Sequence, residues 1–159
     1  LAQDEISRMT GIAKDKTEAA DVRAELLRCM RRLPQAELLV AVAKDTSDDK
    51  KVRNAAVDAL AAKELTDPVY TIMQDKTDDI GVRSNALRKA AEHKRFDVIS
   101  AIALDRDNPD ELRKLALEQY SKQGRDADLQ VFESLKDDRV LGTKIRELLR
   151  QREKSMSTR

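Results

Sequence analysis

The strongest constraint on this chain is an internal period of 30 residues. Val22-Arg23, Val52-Arg53, Val82-Arg83 and Leu112-Arg113 recur at that spacing, and an aspartate stands eight positions before each arginine, at Asp15, Asp45, Asp75 and Asp105. Four residues after each Val or Leu comes Leu26, Ala56, Ala86 or Ala116, and eight after comes Met30, Leu60, Ala90 or Tyr120. Two more columns run upstream, one through Met9, Leu39, Val69, Ile99 and Leu129, the other through Ile12, Val42, Ile72, Ile102 and Phe132. A fixed period of this length marks an array of supersecondary units, each too small to bury its apolar face alone.

Within a unit the spacing is helical on both sides of a polar break. Val52, Ala56, Val57 and Leu60 make one face of a helix, and pairs three apart, such as Leu39 and Val42 or Ile99 and Ile102, make a face of the helix before it. The expectation is an all-α chain of about five helical hairpins, near residues 1–32, 33–63, 64–93, 94–124 and 125–154, with 155–159 a disordered tail. In the fourth turn Asn108 reads as an N-cap, Pro109 as the first helical residue and Glu111 as the capping-box acid. Asp48 and Asp78 share that column and are N-cap candidates too. Leu33-Pro34 and Asp67-Pro68 read as interruptions between units, and Gly124 as a C-cap. In the fifth unit Leu141 replaces the Val, Gly142 stands in the arginine's place, and Lys144 and Arg146 replace apolar residues, as suits an outer face that meets water. At the other end Ile6, Met9 and Ile12 are already in register with no polar cap before them, so the natural protein is expected to continue N-terminally.

Composition agrees. The chain holds 20 Ala and 18 Leu but only four Gly and three Pro, a vocabulary of helices rather than strands and turns. No 18-residue apolar run is present to span a membrane, and no basic segment followed by an apolar core marks a signal peptide, so a soluble, cytoplasmic chain is expected. Cys29 is the single cysteine and His93 the single histidine, too few for a disulfide or a zinc site. Cys29 shares a column with Ala59 and is expected to be buried; His93 is expected at the exposed end of a helix. The glycines make no phosphate-cradling loop. Neither catalytic residues, nor metal, nor cofactor is expected. Residues 139–159 carry a net +5 within an overall +1, which reads as a solvated last helix.

A hairpin of about 30 residues with Asp in its turn and Val-Arg opening its second helix, as in Val52 to Leu60 and Val82 to Leu87, resembles the HEAT repeat, including its short bacterial form. Armadillo repeats are longer, and the Trp, Gly and Tyr positions of tetratricopeptide repeats are missing. The resemblance implies a right-handed α-α superhelix, an α-solenoid, with first helices on the convex surface and second helices on the concave one. Identical residues in successive units are then expected to stack into a structural ladder of Asp15, Arg23, Asp45, Arg53, Asp75, Arg83, Asp105 and Arg113. The column of Asp48, Asp78 and Asn108 is equally placed to receive the arginines, and the choice stays open.

On the second helices, positions pointing away from the core define an expected concave binding face: Arg28, Arg31, Asn54, Asp58, Ser84, Arg88, Lys114, Glu118, Thr143, Glu147 and Arg150. The resemblance implies a non-enzymatic scaffold that binds a peptide or protein there, as a module of a longer chain. It also admits a nucleic-acid-binding or DNA-repair protein, since some HEAT-like solenoids resemble alkylpurine DNA glycosylases, and an accessory to a bilin lyase. A nucleic-acid groove should be strongly basic and aromatic, whereas this ridge alternates charge and the chain lacks Trp. The oligomeric state stays open.

Overall fold

The alternating helical stretches form where the apolar columns place them. Helix α1 spans Gln3–Lys14 and α2 Ala20–Cys29, which runs on into a 3-10 turn at Met30–Arg32; α3 (Ala36–Lys44) and α4 (Lys50–Ala62) follow, then α5 (Thr66–Gln74) and α6 (Ile80–Glu92). After them come α7 (Phe96–Leu104), α8 (Asp110–Ser121), a 3-10 helix at Leu129–Leu135 and α9 (Gly142–Ser157). This computed structural model describes residues 2–123 and 128–157, and no strand occurs among them. Gly124 lies outside the described residues. Residues 155–157 are helical rather than a tail, because α9 continues through Ser157. The chain divides into two compact units, Leu1–Lys89 and Ala90–Arg159.

In the first unit α4 packs on both α2 and α3. Its contact surface is unusually small-chained: Ala55, Ala56, Ala59 and Ala61 are all buried beside Val52, Val57 and Leu60. Ala side chains let helices approach closely, and the larger Leu27, Met30, Leu39 and Met73 fill the space between them. Each fully buried Leu or Met is worth about 1.5–3 kcal/mol. Pro68 corrects one expectation, since it lies inside the first turn of α5, where its missing N–H has no intrahelical partner to lose. Cys29 is a second correction: it is exposed, although Ala59 in the same column is buried.

In the second unit α7 packs on α8, and the 3-10 helix packs on α7 and α9. Tyr120 is the hub. Its ring meets Phe96 at a centroid distance of 5.3 Å and Phe132 at 4.8 Å in an edge-on arrangement, and its hydroxyl donates to the Asp128 carbonyl at 3.1 Å. Ile99, Leu112, Leu129, Leu141 and Ile145 complete this core.

The ladder of arginines exists, but its acids are those of the other column. Arg23 Nε and Nη2 donate to the Ala13 carbonyl at 3.0 and 2.9 Å, while Nη1 and Nη2 grip Asp48 at 2.7 and 2.6 Å. Arg53 repeats the arrangement on Ala43 and Asp78 at the same distances. Arg83 Nε reaches the Met73 carbonyl at 3.0 Å, and Arg113 reaches the Ala103 carbonyl at 3.1 Å and Asp138 at 2.7 Å. Each arginine thus bonds the carbonyl ten residues before it, one of the last orphan carbonyls of the preceding helix.

Asp15, Asp45 and Asp75 therefore leave the ladder, and with Asp105 they shape the turns. Each carboxylate accepts the backbone N–H two residues on, from Thr17, Ser47, Thr77 and Asp107, at 2.9–3.0 Å. With Asp48 and Asp78 committed to arginines, the N-cap falls one residue later than expected. Asp49 accepts from Lys51 N–H at 2.8 Å, and Asp79 from Gly81 and Val82 N–H. By the same offset Pro109 is itself the N-cap of α8, and Asn108 donates to the Ile102 carbonyl at 3.3 Å. Asp138 serves both purposes at once, accepting from Val140 and Leu141 N–H and from Arg113.

The second helices α4 and α6 end on left-handed residues that are not glycine, Glu64 (φ 59°) and Lys94 (φ 54°). In both, the next residue's N–H returns to a carbonyl five back, Leu65 to Leu60 and Arg95 to Ala90. The degenerate last unit also keeps an arginine of the ladder type. Arg146 Nη1 donates to the Lys136 carbonyl, again ten residues back, and lies 3.7 Å from Asp137.

Candidate interaction site

The expected binding face separates into residues tied up by packing and residues left open. In the first unit, Asn85 Nδ2 donates to Asp58 Oδ1 at 3.0 Å and approaches the Asn54 carbonyl at 3.5 Å, with Lys89 Nζ 4.0 Å from Asp58. Ser84 is buried, and Asn54 Oδ1 is enclosed with no donor among the described residues. Asn54, Asp58 and Ser84 thus belong to packing around α4 and α6 rather than to an open surface. Arg28, Arg31 and Arg88 are exposed, Arg28 pairing with Glu25 at 3.3 Å.

In the second unit the expected residues stay exposed and flank a cavity. Lys114, Glu118, Thr143, Glu147 and Arg150 all face solvent on α8 and α9. A cavity of about 270 Å³ opens between these helices, lined by Lys114, Leu117, Glu118, Ser121, Val140, Leu141 and Lys144. Its floor is apolar, from Leu117, Val140 and Leu141, and its rim is charged. Glu118 pairs with Lys122 at 2.5 Å, and Lys144 with Glu147 at 3.1 Å. The periodicity reached Lys114 and Glu118 but missed the floor. The apolar pair Val140-Leu141, directly before α9, was the available signal.

A second hollow of about 370 Å³ lies at the turn end, lined by Arg106, Asp110, Arg113, Asp137, Asp138, Arg139 and Val140. Its arginines are answered by acids: Arg113 and Arg106 meet Asp138 at 2.7 and 3.5 Å, and Arg139 meets Asp110 at 3.2 Å. It surrounds the Arg113–Asp138 pair of the ladder. No group of three His, Cys, Asp or Glu is placed to hold a metal ion among the described residues. His93 lies half-buried in the turn after α6.

Two of the ladder acids, Asp48 and Asp138, are held below the ordinary carboxylate value. The Arg113 guanidinium holds Asp138 down at about 2 from the usual 3.8, with burial opposing and the Leu141 and Val140 N–H groups helping. At Asp48 burial pushes the carboxyl up, but Arg23 and the Asp49 N–H overcome it and the net shift is downward. The more exposed Asp45 falls to about 2 through Lys16 and then Ser47. A depressed folded pKa gives stability that is complete above the unfolded value and is lost as pH falls through the folded one. Denaturant midpoints should therefore decline between about pH 4 and pH 2, with about 2 kcal/mol belonging to the buried Asp138. Asp138→Asn should make the decline measurably shallower; an unchanged acid limb would reject this assignment.

No family model matches the chain, and no curated protein or solved structure matches it either.

Proposed function

We propose that the chain is an α-solenoid of HEAT-like hairpins that acts as a non-enzymatic scaffold, binding a peptide or protein on the outward face of its second helices. The reading is carried by the cavity between α8 and α9, where an apolar floor sits inside a ring of Lys114, Glu118 and Lys144. Its volume suits one apolar side chain, and the rim charges suit polar flanks on an extended segment, which is how a binding groove combines affinity with register. The repeat supports it further, since stacked hairpins offer extended surfaces rather than a single reactive cleft.

The test is a random peptide library selected on the immobilised full chain. Recovered peptides should share an apolar anchor beside charged residues. Lys114→Glu and Glu118→Lys, both exposed, should each weaken them about tenfold. Unchanged affinity in both variants would remove this face from consideration. Tight, salt-sensitive binding of a DNA duplex, with no peptide recovered, would replace the scaffold reading with the nucleic-acid one.

A further inference from the structure

We infer that the outer face of the first hairpin is a docking surface for another helical hairpin built on the same arginine pattern. The burial of equivalent columns carries this. Val52, Val82 and Leu112 are fully enclosed, yet Val22 in their column is 52% exposed. Leu26 is half-buried where Ala56, Ala86 and Ala116 are buried, and Met9 and Ile12 are half-buried where Leu39, Val69, Val42 and Ile72 are buried. Cys29 is exposed where Ala59 is not. This strip is therefore an apolar face less covered than its equivalents in the later hairpins.

The junctions inside the first unit indicate what fits there. At each, the covering hairpin sends its ladder arginine to an acid in the next turn: Arg23 to Asp48, and Arg53 to Asp78. The column of Asp48, Asp78 and Asp138 has Glu18 as its first member, exposed and with no ion-pair partner among the described residues. Asn85, which bonds Asp58 across the α4–α6 junction, has Glu25 as its counterpart. The strip of Met9, Ile12, Val22 and Leu26 is thus bordered by Glu18 in the register that receives an arginine, and by Glu25, which pairs with Arg28 at 3.3 Å. The same acids repel an identical face, which argues against a two-fold dimer through it.

The inference rests on the repeat reading but not on peptide binding, and the test keeps them apart. A copy of residues 31–60 fused ahead of Leu1 puts its arginine 30 residues before Arg23. Cys29 is the chain's single thiol, so its alkylation rate reports cover over the strip. The fusion should slow alkylation about tenfold and protect the α1 and α2 amides from exchange to a similar degree. Glu18→Gln, a surface change that leaves the fold intact, should return much of the rate, and so should Met in place of the copied arginine. Lys114→Glu should leave it unchanged while weakening peptide binding about tenfold. Alkylation at the unfused rate, or indifference to Glu18→Gln, would overturn the inference. So would a concentration-dependent self-association of the unfused chain that Val22→Asp abolishes, because a second copy would then be the occupant.

Discussion

Arg53→Ala should cost about 3–5 kcal/mol of folding stability, a large share of what a small domain has. The arginine side chain is 2% exposed and its Asp78 partner 4%. Truncation strips the Ala43 carbonyl of two donors and leaves a buried carboxylate without a counter-charge, so the penalty is desolvation left uncompensated more than attraction lost. Asp78→Ala should be comparably severe for the mirror-image reason. Arg53→Met with Asp78→Leu removes both charges and should recover most of the loss, which gives a coupling of at least about 2 kcal/mol in a double-mutant cycle. Lys50–Asp79 is the comparison pair in the same junction: Lys50 is 70% exposed, and its alanine variant should cost under about 1 kcal/mol. Urea denaturation of these variants separates the cases. If Arg53→Ala fell into the range of Lys50→Ala, the ladder would be decoration rather than the link between hairpins.

The hairpins were legible because their signal is redundant, with the same apolar columns written several times and the same Val-Arg pair marking each second helix. The partner of the arginine was not. Two aspartate columns stand three residues apart in a turn, and only the path of the chain decides which faces the previous hairpin and which folds back onto Thr17, Ser47 or Thr77. The N-cap error followed from it, since a carboxylate given to an arginine leaves the cap to its neighbour. Burial at Val22 and Cys29 depended on what lies against the hairpin, which a column cannot encode. On the candidate face, Lys114 and Glu118 are exposed as the helical pattern expects, but the pattern could not foresee that Asn85 closes over Asp58. Asn85 lies one position beyond Ser84, in a place the helical pattern treated as neutral.

Gly142→Ala should destabilise the chain by about 2–3 kcal/mol, although alanine is the better helix former by about 1 kcal/mol. The two effects have opposite signs, so the measured direction decides between them. A Cβ at Gly142 would lie 2.4 Å from the Lys136 carbonyl oxygen and 3.1 Å from its carbon, both backbone atoms, and 3.4 Å from Arg146 Nη1. The reason for glycine here is space. The carbonyl it crowds is the one that Arg146 holds at the end of the 3-10 helix, so relief of the clash must either shift that helix, with its buried Phe132 and Leu135, or break the Arg146 bond. The other described glycines supply the controls. At Gly81 the nearest atom is the flexible Asp79 carboxylate at 3.0 Å, and around Gly11 nothing lies within 4 Å. Gly11→Ala should therefore stabilise by about 0.5–1 kcal/mol through helix propensity alone. A thermal or urea series in which Gly142→Ala also stabilised would mean that α9 starts further from Lys136 than the geometry places it, and that the last unit is packed more loosely than those before it.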